Sequence, residues 1–118
     1  MRKNIIIISI LAMLMLAGSL IADTIYVHVT NVCTVTLKVY ESGVIVHQWP
    51  DFIAYPNQDN PHPYEPPIPG IHYLVEACGE TALYSDCDSG LLGPSYPDNL
   101  HLYLDVSGKI PDKPSSGH

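Results

Sequence analysis

The stretch TIYVHVTNVCTVTLKVYE, residues 24–41, decides the fold class of this 118-residue chain. Apolar side chains occupy every second position on both sides of a polar break at Thr30 and Asn31. Because alternate side chains of an extended strand point to opposite faces, each half of the stretch has one apolar and one polar face. This period of two is typical of half-buried β-strands, and it predicts two strands joined by a short turn.

The same alternation recurs along the rest of the chain, where Gly and Pro separate the apolar runs. The predicted strands are residues 24–30, 33–41, 44–49, 71–78 and 100–106, with weaker candidates at 52–55 and 82–84. The turn at residues 41–43, Glu-Ser-Gly, is typical of a tight hairpin. No window after residue 22 carries a helical stripe. Six or seven short strands indicate an all-β sandwich or small barrel. One apolar face per strand favours the first, a small antiparallel β-sandwich of Ig-like (immunoglobulin-like) or Greek-key type.

Residues 1–22 have the order of a secretory signal peptide. A basic pair precedes an almost wholly apolar run, residues 5–17, and small residues follow up to Ala22. This order predicts export to a secreted or periplasmic location, with cleavage after Ala22 or alternatively after Ser19. An uncleaved N-terminal anchor is the other interpretation, because the apolar run through residue 22 reaches the lower length limit of a membrane span.

The exported part is expected to form one β-sandwich domain, residues 23–106, followed by a polar C-terminal tail, residues 107–118. It holds three Lys, no Arg and all twelve acids, which gives a formal charge of −9 against −7 for the whole chain. Neutralising phosphates requires clustered Lys and Arg, so this charge excludes nucleic-acid binding. It also excludes polybasic attachment to anionic lipid, and no stable membrane association is expected after signal cleavage.

The outstanding irregular segment is residues 56–70, which holds six of the eleven prolines. Proline cannot donate to a sheet ladder, so the segment is expected to be an extended loop that crosses between the sheets. A second loop is expected at residues 78–99. Long loops on a rigid sandwich are common binding sites, and tyrosine supplies rigid amphipathic contact area. The expected contact residues are Tyr55, Asn57, Asn60, His62, Tyr64 and Glu65.

Three cysteines allow one intramolecular disulfide, which export permits. Cys33 lies on the apolar face of its strand, whereas Cys78 lies on the polar face of its own, nine residues before Cys87. This parity favours a Cys78–Cys87 bond and a buried Cys33 thiol. Pairing of Cys33 with either partner, and the absence of any bond, remain the alternatives.

Two sets of residues suggest a metal site. His28, His72 and His101 lie at outward positions of different predicted strands, and neighbouring strands would bring imidazoles together for Zn²⁺ or Cu²⁺. Asp86 and Asp88 open a D-x-D-x-G sequence like that of some calcium loops, although the rest of an EF-hand is absent. Outward polar strand positions and ordinary turns explain both sets more simply than a metal site does. The expectation is therefore no cofactor, with Ca²⁺, Zn²⁺ or Cu²⁺ as alternatives.

No G-x-S-x-G elbow, phosphate-binding loop or paired catalytic motif occurs, which predicts a protein that is not an enzyme. The function predicted is that of a small secreted or periplasmic binding module, which recognises a protein or glycan through the Pro/Tyr-rich loop. Three alternatives stay open: a protease inhibitor that presents this loop, a structural subunit that assembles through edge strands, and a metal-binding exported protein.

Overall fold

The computed structural model describes residues 22–95, 97–108 and 114–118, and every regular element within them is a β-strand. The strands are β1 (Asp23–Val29), β2 (Cys33–Glu41), β3 (Val44–Gln48), β4 (Phe52–Ala54), β5 (Pro61–Tyr64), β6 (Tyr73–Glu80), β7 (Ser85–Leu92) and β8 (Asn99–Leu104). The predicted signal peptide, residues 1–22, lies outside the described residues except for its last position. Among the residues described there is no helix able to span a membrane.

The strands form two sheets, as a sandwich-like all-β fold requires. Sheet A has the order β5-β1-β8, and sheet B has the order β3-β2-β6-β7, with β4 also pairing with β2. All described pairs are antiparallel except β1 with β8, which run parallel. The prediction of a wholly antiparallel sandwich is wrong at this pair. β1 and β8, the first and last strands of the domain, are neighbours in sheet A and run in the same direction.

The core consists of the inward positions that the sequence pattern identifies. Ile25 and Val27 of β1, Leu37 of β2, Val75 of β6 and Leu102 of β8 have no solvent exposure. Fully burying an aliphatic side chain of this size contributes roughly 1.5–3 kcal/mol. The apolar side chains that this alternation places between the two sheets therefore hold the sheets together.

The predicted hairpin between β2 and β3 is present. Ser42 and Gly43 both have positive φ, 50° and 82°, as a two-residue turn of type I′ requires. A register shift between Val39 and Tyr40 marks a bulge in the pairing with β3. Beyond the turn, all five residues of β3 are exposed.

The prediction of a loop over residues 78–99 is wrong, because this segment contains β7. Three of its four inward positions are Asp86, Asp88 and Gly90, and only Leu92 is a large apolar residue, which conceals the strand in the sequence. Both carboxylates accept hydrogen bonds at 2.8 Å from backbone N–H groups, Asp88 from Tyr103 of β8 and Asp86 from Asp105, which directly follows β8. The weak strand candidate at 82–84 is instead the turn that precedes β7.

The Pro-rich segment also contains a strand. Residues 61–64 form β5, which pairs with β1 at the edge of sheet A, so the expectation of an extended loop throughout 56–70 is wrong. Pro61 and Pro63 alternate with His62 and Tyr64. Successive backbone nitrogens of a strand point to opposite sides, so an edge strand tolerates proline at every second position.

The two long sides of the sandwich are closed by different means. On one side, the carboxylates of β7 bind the edge of β8, and Gly117 in the C-terminal tail exchanges two backbone hydrogen bonds with His101. On the other side, aromatic and imidazole rings fill the space between β3 and β5. This aromatic cluster consists of His47, Trp49, Phe52, His62 and Tyr64.

Candidate binding surface

Asn60 organises the turn that the sequence selected as a contact loop. Its side-chain amide donates to the carbonyls of Val27 at 2.9 Å and Tyr55 at 3.0 Å, and its Oδ1 accepts from the Tyr55 N–H at 3.2 Å. Asn57 and Asn60 both have positive φ, which Asn adopts more readily than most residues. Asn60 thus fixes the turn to the end of β1, and its polar atoms serve the fold.

His62 and Tyr64 belong to the aromatic cluster. Tyr64 is buried, with its ring centroid 5.8 Å from that of Trp49 and 6.3 Å from that of Tyr73. The His62 ring lies 4.0 Å from Phe52, and its Nδ1 is 2.9 Å from the Asn60 carbonyl oxygen. Burial lowers the pKa of His62, an effect that the Asn60 contact partly offsets. Both side chains therefore contribute to packing.

The other three predicted contact residues are exposed, but they do not lie together. Tyr55 and Asn57 belong to the turn at the end of β1. Glu65 follows β5, whose antiparallel register places it near the beginning of β1. The structure therefore divides the six predicted residues between a turn at one end of the sandwich, the aromatic cluster and the opposite end.

Three turns meet at the end of the sandwich that carries Tyr55, which we call the loop end. They are residues 30–32, 55–60 and 81–84. The first joins β1 to β2, and the second is held to β1 by the hydrogen bond from the Val27 N–H to the Asp59 carbonyl. The third follows Glu80, which pairs with Thr34 at the start of β2.

A shallow depression of about 520 Å³ lies at the loop end. Its lining is apolar at Val32, Ile53 and Ala82, whereas Thr34 and Thr81 supply hydroxyl groups and Glu80 the carboxylate. Cys33 completes the lining. Burial raises the pKa of this thiol, so it stays protonated and is a poor nucleophile. The depression can therefore accept an apolar group with a few polar contacts at its rim.

Large apolar side chains are exposed in the lining of the depression and next to it in the sequence. Ile53 is 56% exposed and Leu83, next to Ala82, is 81% exposed. Tyr55 lies two residues beyond Ile53, and alternate residues of an extended segment share a face. Sequence reasoning selected Tyr55 but missed Ile53 and Leu83. Two sequence signals for these exposed residues were available. Ile53 occupies an outward position of its short strand, and Leu83 lies in a turn.

The turn that carries Leu83 is held in place. The Thr81 hydroxyl accepts from the backbone N–H groups of Leu83 at 3.2 Å and Tyr84 at 2.9 Å, and the Thr81 N–H donates to the Tyr84 carbonyl. The Tyr84 ring also covers Gly108 and leaves no room for a Cβ atom there. A preordered turn loses less entropy on binding than a mobile one.

The histidines selected as metal ligands are only partly brought together. His28 and His101 lie on the neighbouring strands β1 and β8, with Nε2 of the first 2.9 Å from Nδ1 of the second. Tyr26 stacks on His101 and Tyr103 stacks on His28, with centroid separations of 4.7 and 4.8 Å. Burial, and secondarily the nearby His101, lower the pKa of His28, whereas Asp59 raises it. The two imidazoles bind each other within a stack of four rings.

The remaining predicted ligands lie elsewhere. His72 is an exposed residue before β6, and Asp86 and Asp88 hold the backbone of β8. Within residues 22–95, 97–108 and 114–118 there is no group of three or more His, Cys, Asp or Glu side chains that could hold a metal ion. A site for Zn²⁺, Cu²⁺ or Ca²⁺ stays a sequence prediction.

The predicted disulfide joins Cys78 of β6 to Cys87 of β7, and Cys33 is buried and unpaired. The bonded residues are directly opposite in the register, on the outer face of sheet B. Their Cα atoms are 4.1 Å apart. The bond is therefore a cross-strand link on a surface hairpin, and it is consistent with an extracellular location.

Comparison of the chain with protein families, with curated proteins and with solved structures finds no match.

Proposed function

We propose that the protein is an exported binding module with an immunoglobulin-like or Greek-key sandwich, and that it recognises a protein or glycan through its loop end. The observation that carries this proposal is the depression at the loop end, whose lining includes the exposed apolar side chains of Val32 and Ile53. Export follows from the basic, apolar and small-residue order of residues 1–22 and fits the surface disulfide.

The loop end has the features of a contact surface. Exposed apolar side chains grouped around a concavity mark interaction sites more often than scattered ones do. The few polar groups of the lining, from Thr34, Glu80 and Thr81, would orient what binds. Of the two classes of partner, the apolar rim favours a protein with a projecting apolar side chain.

The proposal keeps only part of the Pro/Tyr-rich loop that the sequence predicts as the contact surface. Asn60, His62 and Tyr64 hold the fold, so deletion of residues 57–68 would remove β5 and would not test binding alone. Tyr55 and Asn57 remain available for contact, because their side chains are exposed at the loop end.

The experiment is capture of partners by two matched variants. The exported protein, immobilised through its lysines, is incubated with extracellular proteins and, separately, with a glycan array. Ile53→Ser removes an apolar side chain from the depression, whereas Ile68→Ser removes one that is 49% exposed at the opposite end of the sandwich.

We expect Ile53→Ser to weaken capture by about tenfold, because truncation of a contributing interface side chain costs more than about 1 kcal/mol, and Ile68→Ser to leave it unchanged. Equal loss in both variants, or unchanged capture in Ile53→Ser, would contradict the assignment of the surface. Circular dichroism and melting of both variants confirm that each remains folded.

A further inference from the structure

The outer edge of β3 is apolar and exposed. Val44, Ile45 and Val46 are 64%, 47% and 39% exposed, and residues 44–48 contain no acid, Lys, Arg or Pro. β3 ends the strand order of sheet B, so no strand among the described residues pairs with its outer edge. An apolar edge of this kind is a template for pairing with another strand.

Both edges of sheet A are protected. On β5, Pro61 and Pro63 remove backbone donors. On β8, the N–H groups of Tyr103 and Asp105 bind side chains of β7, and the N–H of His101 binds the Gly117 carbonyl. Natural sheets block their edges in such ways. The open edge of β3 departs from the rule that both edges of sheet A follow.

We propose that β3 pairs edge to edge, antiparallel, with β3 of a second copy of this chain. A two-fold axis brings the same strand from both copies together, so the strand must be compatible with itself. Most charged sequences fail this condition because like charges would face each other. The whole chain has a formal charge of −7, yet residues 44–48 carry none of its twelve acids.

The outer face of sheet B supports the same pairing. Ile45 is opposite Tyr40, Tyr40 is opposite Leu74, and Leu74 is opposite Leu91 in the registers of four successive strands. This apolar row begins at the β3 edge. Pairing of β3 with its copy would join two such rows into one continuous band across the dimer, and cross-strand apolar neighbours stabilise sheets.

The experiment measures the mass of the exported protein by sedimentation over a wide concentration range. We expect a reversible monomer–dimer equilibrium that salt strengthens, because screening reduces repulsion between two acidic copies. Ile45→Lys places a charge at the β3 edge and should weaken the dimer by about tenfold or more. Leu91→Lys is the matched control, because Leu91 is 51% exposed at the opposite end of the same apolar row.

Each outcome decides the proposal. A dimer that Ile45→Lys dissociates and Leu91→Lys leaves intact supports edge pairing. Equal dissociation by both variants would assign the dimer to face-to-face packing of the apolar row and overturn it. A protein that is monomeric at every concentration, or an edge occupied by an unrelated chain, would also overturn it. The Ile53→Ser variant should dimerise normally, so this inference and the loop-end function can fail separately.

Discussion

The carboxylates of β7 give the most informative test of the fold. Asp88 accepts a hydrogen bond from the Tyr103 N–H, and Asp86 from the Asp105 N–H, each at 2.8 Å. These bonds take the place of a strand pair between the two sheets at this side of the sandwich. Asp88→Ala removes the carboxylate and leaves the Tyr103 N–H without this hydrogen-bond acceptor.

The expected loss follows from the kind of bond that is removed. A hydrogen bond to a charged group contributes about 1.5–3 kcal/mol. Asp88 and the Tyr103 amide are only partly buried, so water replaces part of the interaction. We therefore expect Asp88→Ala to lower the free energy of unfolding by about 1–2 kcal/mol, which shifts Tm by about 4–16 °C in a domain of this size. The Asp86→Ala/Asp88→Ala double variant should lose roughly twice as much.

The assay is urea unfolding of residues 23–118, with melting as a second readout. Asp88→Asn keeps an acceptor oxygen and loses the charge, so it should lose about half as much stability as the alanine variant. Asp51→Ala is the control, since the exposed Asp51 carboxylate accepts only a surface hydrogen bond from the Thr36 hydroxyl. It should change stability by less than about 0.5 kcal/mol.

A result that would refute this reasoning is equal stability of Asp88→Ala and the control. The calcium interpretation of Asp86 and Asp88 is tested by the same proteins. If the two carboxylates act only on the β8 backbone, Tm should be the same with calcium and with a chelator. A calcium-dependent rise in Tm that disappears in the double variant would instead support a metal site.

Three further predictions concern the turn, the disulfide and a buried imidazole. Asn60→Ala loses the hydrogen bonds to Val27 and Tyr55 and places alanine at a φ of 45°, so urea unfolding should show a loss of about 2–4 kcal/mol, with Asn60→Gly losing less because glycine tolerates that φ. Reduction of Cys78–Cys87, whose sequence separation is 9, should cost roughly 2.5–3 kcal/mol in unfolding with and without reductant, and an unchanged midpoint would contradict this. Burial lowers the pKa of His62 from 6.5, so its contribution to stability is complete above pH 6.5 and is lost as pH falls through 6.5 towards the folded-state pKa. His62→Gln should therefore show a shallower loss of stability than the wild type between roughly pH 8 and 5.

The sequence predicts those parts of the fold where burial and parity coincide. Residues 24–41 place Ile25 and Leu37 in the core, and alternation in β6 and β8 does the same for Val75 and Leu102. The disulfide follows from the same parity, because the outward position of Cys78 separates it from the inward Cys33.

The sequence pattern did not reveal β5 and β7, because residues that are unusual in strands occupy the inward positions of β7 and the hydrogen-bonding positions of β5. In β7, Asp86 and Asp88 bind a neighbouring backbone instead of filling a core, and in β5 the prolines lie on an edge. The parallel pairing of β1 with β8 depends on a contact between the two ends of the domain, which local patterns do not encode. These are tertiary effects that override local signals.

The contact residues were harder to predict than the fold for a related reason. A tyrosine or asparagine in a Pro-rich segment can face solvent or the interior, and the sequence does not distinguish these cases. Tyr64 completes the aromatic cluster and Asn60 ties the turn to β1, whereas Tyr55 is left exposed. Ile53 and Leu83 were overlooked because an isolated apolar residue in a short strand or turn is usually unremarkable.

The most direct test of the loop-end proposal is amide hydrogen exchange of residues 23–118 with and without a captured partner. The proposal predicts that binding slows exchange in residues 30–32, 53–60 and 81–84 and leaves the opposite end, residues 65–72, unchanged. Protection confined to residues 65–72, or to β3, would contradict it.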